Sequence, residues 1–367
     1  MKTFTKLMAF ALCIVMLILS AGCGSNFRNA ISFGSTVITE NMYAYWMGQQ
    51  KTYYLLMLTG GYTDNPQIWT TDTGSGYTYG DMLTVMAMND ISSKAILHEL
   101  FTTYGLEITA EDEANIDARV QALTTQAGSV TALNSVLSVY GVNADILRDI
   151  LLFDAKVAKV QEHLYGENGI EAVSDADVEA FYADNYYRTK YIWISHDFRF
   201  VFDDTGEHVI DTETGTYKTK ELTDAQAEET RNLVADLQDR IATGDDFDEL
   251  VQEHTMDTRL KTYTDGLYFT SGTTIVPEEI ANTVMEMKIG EVKTIENDEG
   301  TFIIKRYELE DKKYEDEEYV NMIGDIKTNL NAQKMSEMLN SYTGSLVMNN
   351  AVIQEYPIGS VRVNTYF

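Results

Sequence analysis

Apolar residues recur at helical spacing through the first half of the chain, which predicts a series of amphipathic helices up to about residue 185. Long helices are predicted over Met82–Thr103 and Asn143–Tyr165. Hydroxyl side chains stand directly before three of the helical segments and are suited to cap them: Thr39, Thr109 and Ser174. The Gly- and Thr-rich interval 60–80 is predicted as a loop.

The periodicity changes at Thr189, where a strand is predicted because Lys190–Phe202 alternates and is rich in aromatic and β-branched residues. A returning strand is predicted over Glu207–Tyr217. In the rest of this region, helices are predicted at 223–241, 246–254 and 276–289. Strands are predicted at 267–270, 292–295 and 300–309. A last helix over Tyr314–Thr343 and a strand over Ala351–Tyr356 complete an α+β chain.

The N-terminus has the layout of a secretory signal, since two lysines precede an apolar run, Leu7–Leu19, that is too short to span a membrane comfortably. Small residues follow and lead to Cys23, an arrangement that resembles the bacterial lipobox, although Ser20 stands where that motif usually has Leu. We therefore expect lipidation of Cys23 and a location on the extracytoplasmic face of the cell membrane. The alternative is an ordinary signal peptide cleaved nearby.

Composition excludes several classes of function. The net charge of −30 disfavours nucleic acid and anionic lipid as partners and favours basic or neutral polypeptides. The chain has no Gly-rich phosphate loop and no Gly-x-Ser-x-Gly elbow, and its five histidines are scattered without zinc-site spacing. We predict neither a cofactor nor a metal site. The chain has two cysteines, and the one other than Cys23 is Cys13, which lies within the predicted signal segment.

Six short segments stand out between residues 190 and 309, at 191–196, 244–250, 265–269, 276–278, 288–292 and 300–305. Together they are similar to motifs of the parvulin family of peptidyl-prolyl isomerases. The opening strand ends in Ser195-His196, and a Gly-x-Asp-Phe helix start is matched at 244–247. The remaining similarities, in the family's order, are a strand at 265–269, signatures at 276–278 and 288–292, and the last strand at 300–305. Several motifs in the correct order over about 120 residues are a stronger signal than any one of them.

The flanking segments at 39–45, 106–109, 140–142 and 173–187 resemble the helical module of exported chaperone-isomerases. These are the lipoprotein foldases of Gram-positive bacteria and the periplasmic survival-factor chaperones. The resemblance implies an α+β fold, in which the N-terminal helices and the last helix form a chaperone module with a parvulin-like β-α-α-β-α-β-β domain inserted. The implied domains are a lipoprotein signal peptide (1–22), a lipidated tether (23–33), the helical module (34–188), the isomerase domain (189–309) and a returning helix and strand (310–367).

The resemblance also implies site residues, because family parvulins place two facing histidines and an Asp or Cys beside an apolar pocket. His196 matches the first histidine, and the Asp/Cys position falls on Asp257 or Thr258. The implied substrate-binding residues, of which the two phenylalanines also suit the core, are Leu267, Phe269, Ile275, Ile280 and Phe302. Phe302 aligns with the second histidine, so the histidine pair is broken. Arg199–Leu222 is an insertion relative to the family.

The function implied is that of a membrane-anchored extracytoplasmic foldase, which binds unfolded exported polypeptides and isomerises X-Pro bonds. A homodimer is compatible with the sequence. The broken histidine pair favours a rival, a holdase whose parvulin domain only binds. A second rival, a solute-binding lipoprotein of a transporter, needs two α/β lobes around a hinge, and the predicted strands are too few and too late in the chain for it.

Overall fold

The structure is a computed structural model that describes residues 27–205, 207–272 and 275–367. The predicted signal peptide and Cys23 lie outside these residues. The chain divides into two compact units, one built from residues up to Val173 together with Asn331–Phe367, the other from Ser174–Leu330.

The first unit begins with a hairpin and continues with helices. Its elements up to residue 173 are β1 Asn29–Phe33, β2 Thr36–Thr39, α1 Glu40–Thr59, α2 Pro66–Thr70, α3 Tyr79–Thr103, α4 Ala110–Ala127, α5 Val130–Leu137 and α6 Ala144–Tyr165. The predicted caps at Thr39 and Thr109 are confirmed as N-cap positions. The Thr109 hydroxyl accepts from the backbone N–H of Asp112 at 3.2 Å, and the Asp112 carboxylate accepts from the backbone N–H of Thr109 in return, which satisfies two amides that would otherwise lack partners.

The second unit contains one helix before its sheet and a mixture of helices and strands after it. Its elements are α7 Asp175–Asn185, β3 Tyr187–Ile194, β4 Phe198–Phe200, β5 Thr219–Glu221, α8 Asp224–Thr243, α9 Phe247–His254, α10 Arg259–Thr262, β6 Leu267–Phe269, α11 Glu278–Glu286, β7 Val292–Asn297 and β8 Gly300–Tyr307. The chain then passes through α12 Val320–Tyr342 to β9 Val347–Met348 and α13 Asn350–Ile353.

The first unit carries a three-stranded antiparallel sheet that the sequence did not predict. Its order is β2-β1-β9, and β1 pairs Ile31 with Met348. β1 lies inside the predicted tether, and the strand predicted over Ala351–Tyr356 is wrong, because this segment begins with the helix α13. These strands are only two to five residues long, so long-range pairing rather than local pattern decides them.

The second unit has the predicted α+β character, with a four-stranded antiparallel sheet of order β6-β3-β8-β7. β3 lies between β6 and β8, and pairs Ile192 with Ile303. The apolar core is formed by side chains of this sheet and of α8, α9 and α11, including Leu237, Leu250 and Ile280. Every strand pair in the described ranges is antiparallel, which disfavours the doubly wound lobes of a solute-binding protein.

The insertion after β3 folds differently from the prediction. The continuous returning strand over Glu207–Tyr217 is wrong, because this segment makes only isolated bridges, at His208 and at Tyr217. The paired return strand is the short β5, which opposes β4 with Phe198 against Glu221. Across the described ranges, none of the helices is both long enough and apolar enough to cross a membrane.

A buried lysine joins α1 to the C-terminal segment of the first unit. The Lys51 side chain is 1% exposed, and its ammonium donates to the carbonyl oxygens of Gly359 at 3.1 Å and Val361 at 2.8 Å. The same nitrogen lies 2.6 Å from a carboxylate oxygen of Asp64. A buried cation is stable only with such partners, so Lys51 fixes the path of the last residues.

Replacing Lys51 with Ala is expected to destabilise the first unit by about 3–5 kcal/mol, because the substitution removes a buried cation and leaves its acceptors without a donor. The measurement is chemical denaturation followed by tryptophan fluorescence. Arg148→Ala is the matched control, since Arg148 pairs with Asp117 at the surface, and its removal should change the free energy of unfolding by less than about 1 kcal/mol. Equal losses in both variants would contradict a structural role for Lys51.

Candidate functional site

The candidate site is built on the aromatic face of the β3–β8 pair. Tyr191 and Trp193 are two residues apart on β3 and therefore share one face of the sheet. Phe302 of β8 lies opposite Trp193, with the rings stacked at 6.0 Å between centroids, and makes an edge contact with Tyr191 at 5.9 Å. Tyr191 and Phe302 are both buried, so their rings fill this part of the face.

A buried carboxylate lies at the edge of these rings. Asp257, just before α10, is 8% exposed and accepts a hydrogen bond from the Tyr191 hydroxyl. Arg259 donates to both carboxylate oxygens, from Nη2 at 2.6 Å and from Nε at 3.0 Å. Arg259 also donates from Nη2 to the Tyr191 oxygen at 3.1 Å and from Nη1 to the carbonyl oxygen of Ile275. We call Tyr191, Asp257 and Arg259 the polar cluster.

The polar cluster has a defined charge state. Burial raises the pKa of Asp257, but the hydrogen bonds from Arg259 and Tyr191 outweigh burial, so its pKa lies below the ordinary value. Burial and the adjacent carboxylate raise the pKa of Tyr191. The hydrogen bond to Asp257 raises the pKa of Arg259. At neutral pH the cluster therefore holds a carboxylate, a neutral phenol and a guanidinium cation, which can donate hydrogen bonds but is not arranged for proton transfer.

A cavity of about 350 Å³ opens beside the guanidinium, with walls that include Arg259, Tyr263, Leu267, Ile275 and Met322. A neighbouring cavity of about 510 Å³ shares Tyr186, Tyr268 and Ile275 with it. The Ile275 side chain is 48% exposed, so a bound molecule could reach it from solvent. Glu318 and Asp325 also line the cavity beside Arg259. Apolar walls beside a fixed guanidinium are suited to a small apolar group that is joined to a hydrogen-bond acceptor.

The three predicted catalytic residues have different partners in the described structure. His196 lies beyond the end of β3, with Nε2 2.7 Å from the Thr301 hydroxyl and Nδ1 3.6 Å from the Glu296 carboxylate. Within the described ranges, the hydrogen bonds and ion pairs of His196 do not include Asp257. Thr258 follows Asp257 in the chain but lines a different cavity, of about 480 Å³. The catalytic roles of these residues stay predictions.

The predicted substrate-binding residues differ in accessibility. Leu267, Phe269, Ile280 and Phe302 are all buried in the core of the second unit, and Ile275 is the accessible member of the set. Leu267 nevertheless borders the cavity beside Arg259, as Ile275 does. Two of the five residues therefore lie at the cavity best suited to a substrate.

Tyr191 and Arg259 are the members of the site that the sequence did not identify. Tyr191 contacts both Phe302 and Asp257, and it precedes His196 by five positions. The available signal was strand alternation, which places Tyr191 and Trp193 on one face. Arg259 stands two residues after Asp257 and donates to it from both backbone and side chain, but an acidic and a basic residue at this spacing are common on surfaces, so the sequence alone did not single it out.

Residues 216–308 match the family model of the rotamase, or PPIC-type PPIase, domain. The chain therefore carries a peptidyl-prolyl cis-trans isomerase domain within its α+β fold. That domain is of the parvulin type. A comparison with curated proteins gives no match.

The chain is also similar to solved structures. One is the peptidylprolyl isomerase PrsA from Bacillus anthracis, at 17% identity over 73% of this chain and 94% of that chain, with a TM-score of 0.25. PrsA from Bacillus cereus is 14% identical over 91% and 90% of the two chains, with a TM-score of 0.30. A structure of SurA-like chaperones from Campylobacter jejuni is 13% identical over 80% and 89%, with a TM-score of 0.20.

Replacing Arg259 with Met is expected to reverse the way Asp257 affects stability as pH changes. In the native protein the pKa of Asp257 is lowered, so its contribution is present above the unfolded value of about 3.9 and is lost as pH falls through the folded pKa. Without Arg259, burial dominates and the pKa of Asp257 rises above 3.9. The variant should therefore become less stable as pH increases through that raised value.

The measurement is urea unfolding of both proteins at a series of pH values from acid to neutral. At neutral pH we expect Arg259→Met to lose about 1–3 kcal/mol, less than for a fully buried pair because the Arg259 side chain is 45% exposed. Arg240→Met is the matched control, since Arg240 pairs with the exposed Asp245. Parallel pH profiles for the native protein and Arg259→Met would contradict the role of Arg259.

Proposed function

We propose that the cavity beside the polar cluster is where this isomerase binds and rotates X-Pro bonds. The supporting observation is the fixed guanidinium of Arg259 beside the apolar walls formed by Leu267 and Ile275, within the span that matches the PPIase domain. The proline ring would contact the apolar walls, and the prolyl amide would lie next to Arg259.

The chemistry requires no covalent step. The barrier to X-Pro rotation is about 18–20 kcal/mol, because the planar amide loses its partial double bond when it twists. In the twisted state the prolyl nitrogen becomes pyramidal and its lone pair can accept a hydrogen bond. A donor placed at that nitrogen stabilises the twisted state more than the planar one and lowers the barrier.

Arg259 is suited to be that donor. A guanidinium has five N–H groups, and within the described residues four of them meet Asp257, Tyr191 and the Ile275 carbonyl oxygen. The second hydrogen of Nη1 is left for a ligand. Asp257 and Tyr191 would act as positioning residues, since they hold the guanidinium and do not themselves line the cavity.

The test is a prolyl-isomerisation assay on an X-Pro peptide panel. We expect the native chain to accelerate isomerisation and Arg259→Met to lower kcat/KM by about tenfold or more, in the range seen when a transition-state hydrogen-bond donor is removed. Asp257→Ala should also lower it, because the guanidinium loses its anchor. A loss of kcat with little change in KM would identify stabilisation of the twisted state.

His196→Ala provides the comparison within the same domain, because His196 contacts Thr301 instead of the polar cluster. If His196→Ala abolishes activity while Arg259→Met leaves it intact, the reaction centre lies at the end of β3 and the present assignment is wrong. Far-ultraviolet circular dichroism of each variant separates a catalytic loss from unfolding.

At the level of the whole chain we propose a membrane-anchored extracytoplasmic foldase whose substrates are unfolded exported polypeptides. Support comes from the secretory layout of the N-terminus with Cys23 after small residues and from the isomerase domain. A foldase of this kind would accelerate a step that takes tens of seconds unaided.

Cys23→Ala is expected to release the protein from the membrane, because the substitution removes the proposed lipid attachment site. The measurement is membrane fractionation of expressing cells, combined with the intact mass of the purified protein. Cys13→Ala is the matched control and should leave both the mass of the mature protein and its membrane location unchanged. An intact mass of the purified native protein that shows no added lipid would contradict lipid anchoring.

A second candidate function is a holdase whose isomerase domain binds X-Pro segments without rotating them. It is favoured by the buried rings of Tyr191 and Phe302, which occupy the aromatic face of the site. The two functions separate cleanly in one pair of assays. Suppression of client aggregation without any acceleration of isomerisation would establish the holdase.

A further inference from the structure

The first unit exposes apolar side chains in one part of its surface. Helix α1, the loop that follows it and the start of α3 carry large apolar residues that are between 39% and 66% exposed. These residues, which we call the Tyr/Met surface, are Tyr53, Leu56, Met57, Leu58, Tyr62, Tyr77, Met82, Val85 and Met86. Contiguous exposed apolar areas mark interaction sites in soluble proteins.

Two cavities make this surface continuous. The first, of about 660 Å³, is lined by Tyr53, Leu56, Tyr62 and Met86 among others. The second, of about 840 Å³, is lined by Tyr77, Met82, Val85 and again Met86. Met86 therefore lies at the junction of the two cavities, which adjoin and form an apolar strip. Flexible methionines and amphipathic tyrosines suit a surface that accepts many different apolar side chains.

The chain segment that carries the strip contributes only acidic charged side chains, and Lys94 is a cation near Asp90. No lysine or arginine occurs between residues 52 and 93, whereas this interval contains Asp64, Asp72, Asp81 and Asp90. Asp64 is paired with Lys51, but Asp81 and Asp90 line the two cavities directly. An apolar strip with an acidic rim is complementary to a segment that is apolar and positively charged, and it repels acidic chains and anionic lipid surfaces.

From these observations we infer that the Tyr/Met surface binds lysine- and arginine-containing apolar segments of unfolded polypeptides. The inference rests on the proposed foldase function and specifies its clients: chains are selected by positive charge next to exposed apolar residues, independently of proline. The apolar residues of the client would enter the two cavities, and its cations would lie against Asp81 and Asp90.

The test uses fluorescein-labelled, proline-free unfolded peptides that share the same apolar residues and differ in carrying Lys or Glu. Fluorescence anisotropy with the full chain should show Lys-rich peptides binding at least about fivefold more tightly than Glu-rich ones, with a difference that shrinks as salt is added. Because the peptides contain no proline, this result is independent of isomerisation, and an inactive isomerase site would not affect it.

Two double variants, each with a matched double control, locate the binding site. Leu56→Ser with Met86→Ser should weaken binding of the Lys-rich peptide about tenfold, whereas Val139→Ser with Ile170→Ser, equally exposed in the same unit, should leave it unchanged. Asp81→Asn with Asp90→Asn should remove most of the preference for lysine, and Asn keeps the hydrogen-bond acceptor at both positions. Glu107→Gln with Glu113→Gln changes the net charge equally and should retain the preference.

Three results would overturn the inference. The first is equal affinity for the Lys-rich and Glu-rich peptides. The second is an equal loss in the control pairs, which would mean that total charge and total apolar exposure decide binding rather than this surface. The third is a dimer in sedimentation that dissociates in Leu56→Ser with Met86→Ser while peptides fail to bind, because the surface would then be an interface between copies of the chain.

Discussion

The burial of the Asp257 carboxylate is the constraint on which the candidate site depends. An ion removed from water must be compensated by hydrogen bonds and an opposite charge, and here the Tyr191 hydroxyl and the Arg259 guanidinium supply both. These hydrogen bonds also hold the Arg259 guanidinium at the mouth of a cavity and prevent it from turning into solvent as surface arginines do. The same contacts keep the Asp257 pKa low and the Tyr191 pKa high, so the cluster offers a permanent hydrogen-bond donor instead of an acid–base pair.

Strand β3 makes this arrangement possible because it lies between β6 and β8 in the sheet. Its alternation directs Tyr191 and Trp193 to one face, where Phe302 from β8 meets both. Asp257 arrives from the turn before α10, and the backbone N–H of the neighbouring Met256 donates to the carbonyl oxygen of Trp193 at 2.9 Å. That hydrogen bond ties the turn to the strand and sets the distance between Tyr191 and Asp257. The site is thus a consequence of sheet register, since a shift of one residue along β3 would turn Tyr191 to the opposite face.

The sequence predicted the features that local chemistry determines. The helix starts after Thr109 and Ser174 follow from side-chain caps, whereas Thr39 occupies an N-cap position without a side-chain cap hydrogen bond. The order of strands and helices in the second unit follows from periodicity and family motifs. The sequence did not predict the features that depend on contacts between residues far apart in the chain. β1 and β9 are defined by pairing between Ile31 and Met348, and neither short strand has a strong pattern of its own. The polar cluster was not predicted for the same reason. Tyr191 and Asp257 are 66 positions apart, and a tyrosine in a strand resembles any other core residue. His196 attracted attention because it carries a recognisable motif, whereas the tyrosine that contacts Asp257 carries none.

The two proposed binding sites recognise different features of a polypeptide. The cavity in the second unit offers the Arg259 guanidinium beside apolar walls, with the carboxylates of Glu318 and Asp325 also in its lining. The Tyr/Met surface offers a larger apolar area in a segment whose charged side chains are aspartates. In this scheme a client is held through a basic, apolar segment while a proline elsewhere in its chain is rotated. Binding at an exposed, flexible surface is also readily reversed, because little is ordered and few contacts are fully buried, and such reversibility is what a chain that must fold after release requires.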